Sequence, residues 1–207
     1  TSFESIKYAK TDEGTSIYAD ALCADGSSMV TEFIYWSDYY NSIISPFYSY
    51  STGRTKETLR SSQVTCRDID DDGYIEIPED TSSKKQSSEI TSQNWVNYGN
   101  TVLSHKCYSF SCKRDGYILV IDDDDFSKVK ANYDSESRKL TIIDKKNKSN
   151  VFEIVTLINS NYSVNDPKYK DYTMIMKNSG FVYLAKVNKS SDIDINIQTL
   201  KDMIKVY

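Results

Sequence analysis

Only residues 197–204 space their apolar side chains as a helix does, with Ile197, Leu200, Met203 and Ile204 recurring at helical intervals. Elsewhere apolar residues come in short runs that alternate with polar ones or crowd together between Asp, Asn, Gly and Ser. Such runs commit the chain to sheets joined by tight turns, because alternation places one apolar face on a strand but not on a helix. The composition agrees: 17 Tyr accompany only 7 Gly and 3 Pro in 207 residues, so the turns fall mainly to Asp, Asn and Ser. No run of 18 apolar residues is present, which excludes a transmembrane helix in this chain. A net charge of −5 lacks the basic footprint of a nucleic-acid binder.

The charge is unevenly spread. Residues 1–93 hold 16 acidic and 8 basic side chains, and residues 94–207 hold 14 and 17. The polar stretch 79–92, with Ile90 its single apolar residue, reads as a linker or long surface loop. The expected domains are therefore 1–93 and 94–207. In the first, residues 15–78 read as four short strands in an antiparallel meander, with Asp25-Gly26 as one turn. In the second, Arg114-Asp115-Gly116, the DSESR stretch and Asn178-Ser179-Gly180 each turn a hairpin. VFEIVTLI reads as a central strand buried on both faces. A closing helix of about 12 residues, with Asp194 or Asn196 as its N-cap, must pack on that sheet to be stable. The expected class is α+β: an N-terminal antiparallel meander, then an antiparallel sheet closed by a C-terminal helix.

The segment Arg67-Asp68-Ile69-Asp70-Asp71-Asp72-Gly73-Tyr74-Ile75-Glu76-Ile77-Pro78 carries the most specific chemistry. Carboxylates at Asp68, Asp70 and Asp72, positions 1, 3 and 5 of a tight loop, converge on one point. Gly73 permits the turn, and the Tyr74 carbonyl adds an oxygen. That set of hard oxygen ligands suits Ca²⁺. Glu79 stands at position 12, where a helix-loop-helix site places its bidentate Glu, but Pro78 precedes it and no helix begins there. Glu76, at position 9, closes the site better. The competing reading is an Asp-rich turn held by side-chain to backbone hydrogen bonds, without an ion.

RDIDDDGYIEIP resembles the D-x-D-x-D-G-x-x-D/E loops of FG-GAP or VCBS-type β-propeller repeats. With TEFIYW, SPFYS, WVNYGN and the tail INIQTLKDMIKVY, it is similar to secreted or lipid-anchored proteins of Gram-positive gut bacteria. In those a propeller-like region precedes a small C-terminal α+β domain. The resemblance implies an extracytoplasmic or cell-surface location, no assigned enzymatic activity, and an incomplete propeller-like segment in 1–93, since there is sequence for about one blade.

Other groups carry less. His105 is the only histidine, and no nucleophile or zinc motif frames it, so no catalytic residue is assigned. Residues 122–125, four consecutive Asp, read as a solvated turn. Cys107 and Cys112, five apart on one strand, lie roughly 17 Å from each other; Cys23 and Cys66 pair only if their strands are neighbours, and the simpler reading is that all four cysteines are free thiols. Phe33 and Tyr35 share one strand face and read as core, whereas Tyr39, Tyr40 and Tyr48 are candidates for an exposed platform binding a sugar or protein. The expectation is a non-enzymatic surface or interaction protein, with a protein or glycan partner and a structural Ca²⁺. The rivals are a carboxylate-dependent hydrolase of cell-wall or dietary glycan, and a purely structural part of a larger surface protein.

Overall fold

The computed structural model describes residues 2–11, 14–81, 89–99, 101–163, 166–188 and 193–207. Two compact units emerge, Thr1–Ser82 with Ser92–Cys107, and Ser83–Thr91 with Tyr108–Tyr207. The fold is mainly antiparallel β, with few helices and no closed barrel or propeller among the described residues.

The first unit opens with a four-stranded meander in the order β1 (Ser2–Thr11), β2 (Gly14–Leu22), β3 (Met29–Ser37), β4 (Ser42–Ile44). The Asp25-Gly26 turn forms as expected between β2 and β3, and the Asp25 carboxylate accepts from the Ser27 and Ser28 amides, both at 2.8 Å. Along β3, Met29, Thr31, Phe33 and Tyr35 alternate into the interior. Phe33 is the hub of an aromatic core, 4.8 Å from both Tyr18 and Tyr98 by ring centroid, with Tyr35 and Phe47 around it. A small ribbon, β5 (Tyr48–Ser49) and β6 (Arg54–Thr55), follows. Then β7 (Ile77–Asp80) pairs with β8 (Ile90–Gly99), which leads to β9 (Val102–Cys112). Pro78 fits in β7 because an edge strand has a side that donates to no neighbour. Both flanks of the expected 79–92 linker are thus paired strand; residues 82–88 lie outside the described residues.

Two expectations for this unit are corrected. Residues 2–11 form a full strand that the four-strand reading of 15–78 leaves out. Residues 58–70, read as a strand, are irregular and touch strand structure only at the bridges Met29↔Arg60 and Arg67↔Glu76. The reason is that this segment satisfies its backbone with side chains. The Ser61 and Ser62 amides donate to the Asp80 carboxylate, and the Cys66 amide donates to Asp20 Oδ2 at 2.9 Å.

In the second unit β10 (Tyr117–Ile121) pairs with the last residues of β9, and a single helical turn, α1 (Asp123–Phe126), follows. β11 (Val129–Asp134), β12 (Lys139–Asp144), β13 (Asn150–Ile158), β14 (Thr173–Lys177) and β15 (Phe181–Val187) form a sheet in the order β11-β12-β13-β15-β14. The three hairpins and the central position of VFEIVTLI, within β13, are as expected. The closing helix is shorter: α2 (Ile197–Met203) has seven residues, capped by Asn196, whose side chain accepts from the Gln198 and Thr199 amides. The chain then extends as β16 (Ile204–Val206) beside β10, with Leu119↔Ile204 in register. Three ladder pairs with Ile204 and Val206 in extended backbone displace a last helical turn that has little stability of its own. All four cysteines are free thiols.

Asp20 and Arg60, both fully buried, pair at 2.9 Å in the first unit. Burial alone would raise the Asp20 pKa, but hydrogen bonds from Ser5, Thr31 and Cys66, with the Arg60 charge, hold it below its ordinary value. A depressed carboxylate contributes stability that is present above its unfolded pKa and lost as pH falls through the folded one. Acid unfolding of the first unit should therefore begin below about pH 4. Asp20→Asn should destabilise that unit by about 3–5 kcal/mol at neutral pH by stranding Arg60. Both tryptophans, Trp36 and Trp95, lie in this unit, so urea titration followed by their fluorescence measures both effects.

Candidate metal centre

The Asp-rich loop is closed at its base by two backbone hydrogen bonds, Arg67 N–H to the Glu76 carbonyl at 3.0 Å and Glu76 N–H to the Arg67 carbonyl at 2.9 Å. Asp68 organises the turn: its two carboxylate oxygens accept from the amides of Asp72 at 3.0 Å and Gly73 at 2.8 Å. Gly73 has φ +91°, a left-handed backbone that a side chain would strain, so the glycine is required where the chain doubles back. The Asp72 carboxylate accepts from the Tyr74 amide at 2.9 Å.

Asp68, Asp70 and Glu76 come together, each offering an oxygen within 4.8 Å of the others. Two ligands of one Ca²⁺ at 2.3–2.6 Å are separated by up to about 5 Å, so the spacing fits a single ion. Asp72 stands slightly apart. The Lys106 ammonium, from β9, bonds to Asp72 and lies 3.3 Å from Asp70 Oδ2. These hydrogen bonds push the Lys106 pKa up and that of Asp72 down. Tyr74 belongs to the same turn, its ring exposed. Glu79 is engaged elsewhere, accepting from Asn94 Nδ2 at 2.9 Å across the β7–β8 pair.

Glu76 is the unusual member. It is completely buried; Oε2 accepts from the Ile69 amide at 3.0 Å, while Oε1 has no hydrogen-bond partner. Burial, reinforced by the negative charges of Asp70, Asp72 and Asp68 and only partly offset by the Ile69 amide, pushes its pKa up to about 7. A buried carboxylate oxygen without a partner is costly to keep, and it faces two further carboxylates. A divalent cation bound to all three would remove that cost. Sequence reasoning missed Lys106, which carries no motif and lies thirty residues beyond the loop.

The tyrosines sit on the surface of the first unit. Tyr39 and Tyr40 pack edge-to-face at 4.8 Å in the turn after β3, and Tyr48 packs edge-to-face with Tyr50 at 5.0 Å. All four rings are exposed. A cavity of about 650 Å³ in the second unit has Asp171 and Asp194 in its wall, with Asp171 3.6 Å from the Lys186 ammonium. Comparison with protein-family models, curated proteins and solved structures finds no match to this chain.

Replacing Glu76 by Gln keeps an acceptor for the Ile69 amide and turns an amide toward Asp68 and Asp70. In chelator at pH 8, Glu76→Gln should stabilise the first unit by about 1–3 kcal/mol. In millimolar Ca²⁺ the ranking against wild type should narrow or invert. Tryptophan-monitored unfolding in the two buffers measures both.

Proposed function

We propose that this chain is a non-enzymatic, extracytoplasmic interaction protein of a bacterial surface whose first unit is braced by Ca²⁺. The observation that carries this reading is the buried, half-partnered Glu76 carboxylate facing Asp68 and Asp70. Asp68, Asp70 and Glu76 supply the charged ligands, and Asp72 and the Tyr74 carbonyl complete the shell as the loop tightens. The ion's role is structural. It joins the loop to the Arg67–Glu76 bridge, and through Cys66 to Asp20 in the meander. In this reading the meander is a propeller-blade-like unit, and Tyr39, Tyr40 and Tyr48 form the platform that meets a protein or glycan.

Lys106 sets the affinity. Its ammonium neutralises Asp70 and Asp72 when calcium is scarce, so an entering ion must displace it. A site with such an internal competitor is weak, in the 10⁻⁴–10⁻³ M range of extracellular modules rather than the submicromolar range of cytosolic sensors. This supports an extracytoplasmic location, where calcium is millimolar.

Thermal unfolding in EDTA against 2 mM Ca²⁺ tests the proposal. A dissociation constant near 0.2 mM corresponds to about 1.4 kcal/mol, a rise in midpoint of about 3–6 °C. Lys106→Gln should tighten calcium binding about fivefold, the worth of one partly exposed ion pair. An unchanged midpoint for both wild type and Asp70→Ala would sink the calcium reading. A glycan array with no signal lost in Tyr39→Ala would remove sugar as the partner.

A further inference from the structure

The strand β1 is inside out. Ser5, Lys7, Ala9 and Thr11 point toward the interior, while Ile6 and Tyr8 point to solvent, 63% and 82% exposed. They continue an apolar surface across the sheet: Tyr8 stands opposite Ile17 and Ile17 opposite Ile34, while Trp36 stands opposite Ile43, itself 69% exposed. Glu32 shares this face, but its carboxylate is occupied by the Ser45 and Thr55 hydroxyls. Phe3, Ile6, Tyr8, Ile17, Trp36 and Ile43 together leave on the order of 800 Å² in water, main chain included. That exceeds the ~300–600 Å² patch of a typical monomer and matches the ~800 Å² each partner buries in a standard interface.

We propose that this face is the interface of a two-fold homodimer, in which the β1–β4 sheet stacks face to face on the same sheet of a second copy. The occupant is a second copy because the face is complementary to itself, as an isologous interface must be. One end of the sheet carries the small residues Ala19 and Ala21, only 7% and 8% exposed, beside half-buried Val30; the other carries Ile17, Trp36 and Ile43. A two-fold axis crossing the strands between the Ile6 and Tyr8 rows reverses one sheet over the other. Trp36 then lies over Val30 of the second copy, Ile17 over its Ala19, and Ile6 over its Tyr8. Bulky side chains thus meet small ones, as aligned sheets about 10 Å apart require. Charge follows the same symmetry. Glu4, in the bulge between Phe3 and Ser5, and Lys10 flank the apolar pair on β1, so each Glu4 comes near the other copy's Lys10.

Sedimentation of the full chain from about 1 to 100 μM gives the test, run in EDTA so that its outcome is independent of the calcium reading. A dimer dissociating in the micromolar range is expected. Tyr8→Lys and Ile43→Lys should each weaken it at least tenfold, with the unfolding midpoint of the monomer unchanged because both positions are exposed. Glu4→Lys should weaken the dimer, and adding Lys10→Glu to it should restore association. Any of these results would overturn the proposal: a monomer at every concentration; a dimer indifferent to these substitutions; a charge swap without recovery; or a monomer that binds anionic vesicles through Tyr8. Dimer-dependent protection of the β1 edge amides from hydrogen exchange would also overturn it, by assigning the contact to strand pairing.

Discussion

The buried Asp20–Arg60 pair is the contact on which the first unit depends. Taking both charges out of water costs several kcal/mol each, recovered only if every lone pair and N–H finds a partner. Here almost all do so, from four stretches of chain. Asp20 accepts from Ser5 of β1, Thr31 of β3, Arg60 and the Cys66 amide. Arg60 donates in addition to Thr31 Oγ1 and the carbonyls of Thr58 and Val64. The irregular segment 58–66 is thereby fastened across the meander without a ladder of its own. Its end delivers Arg67 to the bridge with Glu76, so the geometry of the acidic loop is inherited from Asp20.

The second unit uses the same device once. Asp115, also fully buried, accepts from Arg138 Nε at 2.7 Å and from the Tyr133 hydroxyl at 2.8 Å, and its carbonyl accepts from the Tyr183 hydroxyl at 2.8 Å. This ties the β9–β10 turn to β11, β15 and the β11–β12 loop. Two buried aspartates thus each have a guanidinium, while buried Glu76 has one backbone amide and two carboxylates for neighbours. Lys106 reaches Asp70 and Asp72, and no hydrogen bond reaches Glu76 Oε1. That asymmetry, more than the count of acids, distinguishes a cation-seeking loop from an acidic turn.

What was legible in the sequence were features decided by near neighbours. The Asp25-Gly26 turn, the three hairpins of the second unit, the doubly buried β13 and the inward pair Phe33 and Tyr35 all follow from period and turn chemistry within a few residues. What was not legible depended on distant partners. β1 is disguised because its apolar residues face outward. Residues 58–70 have strand-like composition, yet their amides donate to the carboxylates of Asp80 and Asp20. β16 looks like a helix end until β10 offers it an edge.

By itself the sequence determined that the chain is built of short strands, where most of its turns fall, and that three or four carboxylates share one tight loop. These are local consequences of alternation and of which residues tolerate a turn. Tertiary structure alone decided that Glu76 is buried with one oxygen unmatched, that Lys106 enters the loop from thirty residues away, and that one face of the meander is apolar and open to water. Burial and long-range pairing are properties of the assembled chain, because desolvation is set by what packs around a group rather than by what precedes it.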